Sequence, residues 1–410
     1  MPPRFLHVDL DAFFVEVCRR FHPELRDIEL LVVGGRRDQR GVVQSASYAA
    51  RKFGVRSGMP IAQAVRLCPQ ATFFLGSFAH YSQASREVRA VLENYSPTVV
   101  MASLDEAYLD FSGTELLHPV SLLPVADAIR RKVKQDAGLD CSIGIGPNRM
   151  IAKVASDAAK PRGMLEVRAG WEAGFLAGLE LRALPGIGPK TAAQLAALGF
   201  TDVWQVQQTP RESLDQLLGM EAKWLKHRAE GHGGTVLTPH QLPKSVSRET
   251  TLSRDSTDLR MLDRILTLFS ARVGSQLREE GLAARTVQLK LRHGDFHTVT
   301  RRKTLTEPTN LDGEIYGAAR ELFDDAYREM RQRDQGVRLL GVAASNIMVA
   351  GPADLFEAEK RTRAREVTTA VDKVREKYGF DAMRPAKLLE KQGRPGEAKG
   401  GKERQGGEGN

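Results

Sequence analysis

The sequence lacks the features that mark secreted, disulfide-bonded and membrane-spanning proteins. Its 410 residues contain three cysteines, Cys18, Cys68 and Cys141, which are scattered and odd in number. This usage excludes a disulfide framework and a cysteine-rich zinc site, and it is typical of a reducing compartment. No apolar run is long enough to cross a membrane, and no export signal precedes the first strand pattern. We therefore expect a cytoplasmic protein without a membrane partner.

What the chain has in excess is charge. Lysine and arginine number 60 against 51 aspartate and glutamate residues, which leaves a net charge of +9. A basic excess favours a polyanionic partner, and nucleic acid is the leading candidate. The length predicts two to four domains.

Acidic residues interrupt two short strands whose pattern is otherwise apolar. Asp9 lies in the first strand, and Asp105 and Glu106 lie in a later hairpin. Carboxylates on a mostly buried strand are costly to desolvate unless a cation neutralises them. Oxygen ligands of this kind suit Mg²⁺ or Mn²⁺, so the pattern predicts a phosphoryl-transfer site, although solvated turns remain an alternative. Asp11 precedes a helical pattern and is interpreted as its N-cap, and Asp110 as structural.

The order of the predicted elements favours a ferredoxin-like first domain. The strands are predicted at 5–10, 99–102, 107–111 and 141–145, and the helices at 77–95, 120–137 and 149–159. This β-α-β-β-α-β order is the split βαβ pattern, which brings Asp9 beside Asp105. Residues 12–76 are set between the first two elements, with helices predicted at 12–20 and 45–53 and a strand at 30–33.

A glycine-rich turn at 184–192, with the sequence LPGIGPKTA, enters a helix. Gly186 and Gly188 let backbone N–H groups approach a phosphate, and Lys190 follows in the first turn of the helix. This pattern is typical of the helix-hairpin-helix, which holds a DNA backbone without reading its sequence. An ordinary turn between packed helices is the alternative, and the flanking residues favour the hairpin.

A second β-α-β-β-α-β unit is predicted at 246–347, after a Pro-containing linker. In its first hairpin strand, apolar residues at 287, 289 and 291 alternate with polar and basic residues at 288, 290 and 292, and Arg301, Arg302 and Lys303 extend the basic edge. A solvated sheet face and a face that follows DNA phosphates are both compatible with this charge pattern.

Six stretches together resemble the Y-family translesion DNA polymerases, most closely the DNA polymerase IV (DinB) branch. They are VDLDAFF at 8–14, SYAARKFGV at 47–55, ASLDEAYLD at 102–110, SIGIGPNR at 142–149, AK at 152–153 and AKPRG at 159–163. They occur in the family's order and spacing, and the match covers nearly the whole chain.

The resemblance implies a multidomain α+β fold with four modules. These are a ferredoxin-like palm at 1–11 and 77–166, fingers at 12–76, a helix-hairpin-helix thumb at 167–234 and a β-α-β-β-α-β little finger at 245–350, which a linker at 235–244 joins to the thumb. It also implies a clamp-binding-like peptide and helix at 351–390, and residues 391–410 are expected to be disordered because they lack an apolar pattern.

The resemblance also implies an activity, namely template-directed, low-fidelity addition of dNTPs to a primer, in translesion synthesis. The metal ligands are then Asp9, Asp105, Glu106 and the Leu10 carbonyl, which hold two Mg²⁺ ions or Mn²⁺ as a substitute. No stretch is left for a proofreading exonuclease. A catalytically silent DNA- and clamp-binding adaptor is the alternative, and the retained carboxylates speak against it.

Further roles follow from the resemblance residue by residue. Tyr48 and Arg51, at i and i+3 on one helix face, and Lys160 match the triphosphate contacts. Phe14 matches the steric gate that excludes a ribose 2′-hydroxyl, whereas helix periodicity alone makes it a core residue. Gln44 replaces a small residue near the nascent base pair.

The expected partners are primer–template DNA and dNTPs, and the protein is expected to act as a monomer associated with the nucleoid. The residues expected to contact the DNA backbone are Gly186, Gly188, Lys190, Ser247, Arg248, Arg301 and Lys303. Leu355 and Phe356 resemble a sliding-clamp-binding peptide with Pro352 in place of Gln, although a loop that packs its own side chains is the alternative. Cys18 is a second departure, because relatives carry Glu there.

Overall fold

The computed structural model describes residues 3–238, 242–331, 336–351 and 359–385. The chain forms two compact units, residues 1–241 and 242–410, and the division falls in the predicted linker. The finer division of the first unit into palm, fingers and thumb stays a prediction. No helix in the described ranges is long and apolar enough to cross a membrane.

The first unit contains eight strands and eleven helices in its described part. The strands are β1 (Phe5–Leu10), β2 (Leu31–Val33), β3 (Ser45–Ala46), β4 (Thr72–Phe74), β5 (Val99–Met101), β6 (Glu106–Asp110), β7 (Cys141–Gly146) and β8 (Met164–Glu166). The helices are α1 (Phe13–Phe21), α2 (Tyr48–Lys52), α3 (Ile61–Leu67), α4 (Phe78–Leu92), α5 (Leu123–Ala137), α6 (Arg149–Ala159), α7 (Glu172–Ala177), α8 (Pro189–Ala197), α9 (Val203–Gln208), α10 (Arg211–Leu218) and α11 (Glu221–Ala229).

Five of these strands form one sheet in the order β5-β6-β1-β7-β8. β1 lies in the middle, antiparallel to β6 and to β7, and all of its residues are buried. The first four strands of this order are those of the ferredoxin-like fold, so that prediction is confirmed, and β8 is added parallel to β7. A charged residue on β1 therefore has a neighbouring strand on each side.

Helix α6 packs unusually close to β7 because of a glycine. A Cβ on Gly144 would lie 2.0 Å from the Ala152 carbonyl oxygen and 2.2 Å from the Ser156 backbone nitrogen. Gly144 is the register partner of His7 on β1. The absent side chain thus brings α6 within reach of the central strand.

A smaller sheet of order β3-β2-β4 and a helical region complete this unit. The helix predicted at 45–53 is shorter than expected, because Ser45 and Ala46 pair with β2 as strand β3. Ser47 ends that strand and caps α2, accepting a hydrogen bond from the Ala50 backbone N–H. The serine therefore marks the change from strand to helix.

The second unit is a four-stranded antiparallel sheet covered by helices. Its elements are β9 (Ser245–Ser256), α12 (Leu259–Glu279), β10 (Leu282–His293), β11 (Thr298–Thr309), α13 (Asp312–Arg331), β12 (Val337–Val349) and α14 (Glu359–Tyr378). The strand order is β11-β10-β12-β9, and apolar residues of the sheet, α12 and α13 share one core. The predicted β-α-β-β-α-β sequence of elements is confirmed.

Gly144→Ala tests the close packing of α6. We expect a loss of roughly 3 kcal/mol in unfolding free energy, because the new methyl group meets helix backbone that cannot yield cheaply. Urea denaturation measures the change. Gly174→Ala in α7 is the matched control, since its Cβ would meet nothing within 4 Å, and it should be neutral or slightly stabilising. Equal effects of the two substitutions would contradict the packing argument.

Candidate active site

Two carboxylates face each other across neighbouring strands. Asp9 at the end of β1 is the register partner of Glu106 at the start of β6. Asp9 is only 5% exposed, whereas Glu106 is half-buried. The antiparallel ladder therefore fixes two acidic side chains of distant sequence positions at one edge of the sheet.

Asp105 lies in the turn before β6, beside the end of β1. Its carbonyl oxygen accepts a hydrogen bond of 2.9 Å from the Leu10 backbone N–H. Its side chain accepts one of 2.5 Å from the Ser103 hydroxyl, at Oδ1. Within the described ranges, no three His, Cys, Asp or Glu side chains are gathered as a metal ion would require. The backbone thus brings Asp105 to the site, while its carboxylate is held by Ser103.

Lysine ammonium groups neutralise the two facing carboxylates. Lys160 Nζ lies 2.7 Å from Asp9 Oδ2 and 2.7 Å from Asp157 Oδ1. Lys153 Nζ lies 2.7 Å from Glu106 Oε1. Lys153 had no predicted role, although residues 153, 157 and 160 follow the i, i+4, i+7 spacing of one helix face. That spacing, read together with the acidic strand, was the signal that could have identified it.

The two carboxylates differ in their pKa values because their surroundings differ. Burial raises the pKa of Asp9 to about 7, and Lys160 only partly opposes this. His7 and Lys153 lower the pKa of Glu106 to about 2. Asp9 is therefore the carboxylate whose charge depends most on a neighbouring cation.

His7 is a buried residue of this site that the sequence analysis did not identify. Its Nδ1 lies 2.7 Å from the Ser156 hydroxyl, and its Nε2 lies 3.6 Å from Glu106 Oε2. Burial lowers the pKa of His7, which favours the neutral imidazole. The ring fills the space between α6 and Glu106.

Asp11 is not the N-cap that the sequence predicted. The N-cap of α1 is Ala12, in the left-handed region at φ 46°, and no side chain caps this helix. Asp11 is instead buried and accepts hydrogen bonds from Tyr48, Ser142 and Arg162. The hydrogen-bond donors to Asp11 therefore come from distant segments and not from the backbone N–H groups of α1.

The predicted triphosphate-binding residues lie near this edge of the sheet. The Arg51 guanidinium lies 5.1 Å from the centroid of the Tyr48 ring, and its Nε donates to the Ala46 carbonyl oxygen at 3.0 Å. Burial raises the pKa of Tyr48 to about 12, so its hydroxyl keeps its proton. Tyr48 is linked to β1 through Asp11, and Lys160 through Asp9.

Phe14 is half-buried and packs against the main core of the first unit. Its ring stands edge-to-face on Tyr81, with centroids 4.6 Å apart, and the Tyr81 hydroxyl lies 3.4 Å from Cys18 Sγ. The ring is therefore fixed by packing while part of it stays accessible.

Gln44 is exposed, and its backbone N–H donates to the Val33 carbonyl oxygen at 2.8 Å.

The glycine-rich turn leads directly into helix α8. Gly186 has φ 100°, a conformation that favours glycine, and Gly188 is the N-cap of α8. The Trp224 ring packs against this turn, since a Cβ on Gly186 would lie 3.0 Å from it. Lys190 is exposed in the first turn of α8.

In the second unit the sheet register separates the predicted DNA contacts onto two faces. Arg301 pairs with Leu289 and Lys303 with Val287, so both share the helix-covered face and form ion pairs with Glu329 and Glu321 of α13. Arg248 lies on that face too, where it donates to Gln276 of α12. Ser247, which was also predicted to contact DNA, lies on the opposite face, together with Lys290 and Arg302. The three basic residues at 301–303 lie on the edge strand β11, but they do not form a single basic face, because consecutive strand residues point to opposite sides. Leu355 and Phe356 lie outside the described residues.

Known proteins resemble this chain over most of its length. The model of the impB/mucB/samB family matches residues 8–157, and that of the family's C-terminal domain matches residues 243–355. DNA polymerase IV of Dehalococcoides mccartyi strain CBDB1 is 40% identical over 381 residues, 93% of this chain and 96% of the relative. DNA polymerase IV of Caulobacter vibrioides is 36% identical over 385 residues, 93% of each chain.

Solved structures share the fold. A Y-family DNA polymerase chimera superposes with a TM-score of 0.70 at 24% identity, covering 84% of this chain and 99% of its own. DinB from Sulfolobus solfataricus superposes with a TM-score of 0.56 at 24% identity, covering 85% of this chain and 100% of its own.

Replacing Lys160 and replacing Asp9 should change the unfolding free energy by unequal amounts. We expect Lys160→Met to lower the unfolding free energy by about 2–4 kcal/mol, because it leaves a buried carboxylate uncompensated. Asp9→Asn should stay within about 1 kcal/mol of wild type, since Lys160 keeps Asp157. Denaturant titration measures both.

Lys134→Met is the control for this pair, because Lys134 pairs with Asp140 at an exposed position. We expect it to change the unfolding free energy by less than about 1 kcal/mol. A Lys160→Met protein as stable as the Lys134→Met protein would contradict the assignment of Asp9 as a buried charge.

Proposed function

Because the chain belongs to the impB/mucB/samB family, as a Y-family polymerase of the DNA polymerase IV group, we propose that it extends primer 3′ ends with dNTPs on damaged as well as intact templates. It is a DNA-directed DNA polymerase of the translesion class. The proposed low fidelity rests on the small fingers predicted at 12–76.

The observation that supports the location of the active site is the pairing of Asp9 with Glu106, with Asp105 in the adjoining turn. The donor set of carboxylate oxygens fits a hard divalent cation, and two ammonium groups balance its charge in the structure. We infer that Asp9, Asp105, Glu106 and the Leu10 carbonyl hold two Mg²⁺ ions, or Mn²⁺. When bound, such ions supply the positive charge that phosphoryl transfer requires.

The side chains around this pair have distinct roles in the proposal. Arg51 and Lys160 balance the charge of the triphosphate, and Tyr48, whose hydroxyl donates to Asp11, is the third proposed contact. Phe14 lies where packing against Tyr81 holds an aromatic ring next to the end of β1, which suits the exclusion of a 2′-hydroxyl. Gln44 is exposed and is proposed to lie near the nascent base pair.

Both units are proposed to hold DNA through contacts with its phosphate backbone. In the first unit these are Gly186, Gly188 and Lys190 at the start of α8, where N–H groups and the helix dipole favour phosphate. In the second unit we propose Ser247 together with Lys290 and Arg302, which share a face by register. Arg248 on β9 and Arg301 and Lys303 on β11 then act from the helix-covered side, at the two opposite edge strands of the sheet.

The remaining proposals concern partners. Leu355 and Phe356 are proposed to bind a sliding clamp, and the protein is proposed to act as a monomer on chromosomal DNA in the cytoplasm. The silent adaptor is not favoured, because such a protein has no need for the carboxylates or the triphosphate contacts, and all six residues are present.

Primer extension with Mg²⁺ and dNTPs tests the activity and the site together. We expect short, distributive extension by the wild type and a loss of at least about a thousandfold in Glu106→Gln, since a carboxylate is replaced by a neutral amide. Primer–template binding should persist in the variant. Asp110→Asn, at the other end of β6, is the matched control and should remain active. Absence of extension by a wild type that binds DNA would instead support the adaptor.

Phe14→Ala tests the steric gate. Removing the ring should raise the use of rNTPs relative to dNTPs by roughly tenfold or more, because space opens for the 2′-hydroxyl. Single-nucleotide insertion measures kcat/KM for each substrate. Phe21→Ala, a half-buried aromatic at the other end of α1, should leave the ratio unchanged. An unchanged ratio in Phe14→Ala would show that Phe14 is only a core residue.

A further inference from the structure

Asp11 joins three separate segments of the chain. Its Oδ1 accepts a hydrogen bond of 2.9 Å from the Tyr48 hydroxyl, and its Oδ2 accepts one of 2.8 Å from the Arg162 backbone N–H. The Ser142 hydroxyl on β7 lies 3.1 Å from both oxygens. We propose that Asp11 is a positioning residue for the nucleotide triphosphate, acting through Tyr48 and Lys160; this inference rests on the proposed function.

The bonds of Asp11 have a geometric consequence. Tyr48 opens α2, whereas Arg162 lies two residues after Lys160, in the turn that follows α6. One carboxylate at the end of the central strand therefore holds both segments. Tyr48 and Lys160, two of the three side chains proposed to meet the triphosphate, lie more than a hundred residues apart in the sequence, and Asp11 holds the segments of both.

Charge and burial support an orienting role. Asp11 is 4% exposed, and it forms no ion pair with any residue that the structure describes. Its negative charge is held by neutral donors, whose hydrogen bonds are directional, rather than by a mobile cation. Both oxygens are already engaged, which distinguishes Asp11 from Asp9 and Glu106, whose partners are lysine ammonium groups.

The backbone contributes to this arrangement. Ala12 adopts φ 46° and ψ 38°, a conformation unfavourable for a residue with a Cβ, between β1 and α1. The Asp11 side chain bonds to Ser142 on β7 and does not cap α1. Strain of this kind persists where surrounding contacts stabilise it.

The proposal predicts a change in nucleotide affinity rather than in chemistry. When Asp11 is replaced, Tyr48 and the Lys160 turn must be ordered by the nucleotide itself, which weakens binding. We expect Asp11→Asn to raise KM for the dNTP by about tenfold while kcat stays within about threefold, since the metal-binding carboxylates are untouched.

A double-mutant cycle on single-nucleotide insertion tests this. Tyr48→Phe removes the same hydrogen bond from the other side, so Asp11→Asn/Tyr48→Phe should raise KM no more than the worse single variant, apart from the contribution of the Arg162 bond. Asp202→Asn, a helix cap of α9, is the control for a carboxylate-to-amide change. Primer–template affinity should be equal in all four proteins. Effects of the two substitutions that multiply, or a fall in kcat at unchanged KM, would overturn the proposal.

Asp11→Glu covers the case in which Asp11→Asn does not fold. It keeps the charge but displaces the carboxylate by one methylene, so positioning predicts a raised KM, whereas a purely electrostatic role predicts a normal one. A wild type that extends primers alongside an Asp11→Glu protein of normal KM would overturn this inference alone. A wild type without extension overturns the proposed function and this inference with it.

Discussion

The first unit is organised around acidic side chains at the buried end of its central strand. A carboxylate in this position is tolerated only with compensating partners, and α6 supplies one lysine for each of the two facing carboxylates. Lys160 reaches Asp9 from the end of α6, and Lys153 reaches Glu106 from its middle. Gly144 lets this helix approach closely enough to do so. The close packing of α6 on β7 is therefore what allows the charges of the site to be balanced.

Patterns of hydrophobic and acidic residues were sufficient to predict the ferredoxin-like sheet and the meeting of β1 with the central hairpin. They did not predict Asp11 correctly, because a local N-cap and a set of distant donors are equally compatible with an aspartate before a helix. Ser142 and Arg162 become neighbours of Asp11 only through tertiary structure. His7 was missed for the same reason, because its partner Ser156 lies far along the sequence.

The second unit illustrates a different limit of sequence reasoning. The alternation in β10 correctly separated apolar from polar residues, but the run of three basic residues in β11 was assigned to one edge. A strand distributes consecutive side chains between its two faces, so Arg302 parts from Arg301 and Lys303. Which of the two sets lies on the helix-covered side depends on register with Val287 and Leu289, which composition does not specify.

The lysine pairs also determine how the site meets a highly charged ligand. Two carboxylates alone would repel an approaching polyanion at short range. Lys153 and Lys160 offset that field locally. Under the proposed function, the protein's net positive charge can then draw nucleotides and nucleic acid to this site without a repulsive barrier at its centre. The two lysines that make the buried carboxylates compatible with folding thus also reduce the repulsion between the site and an anionic ligand.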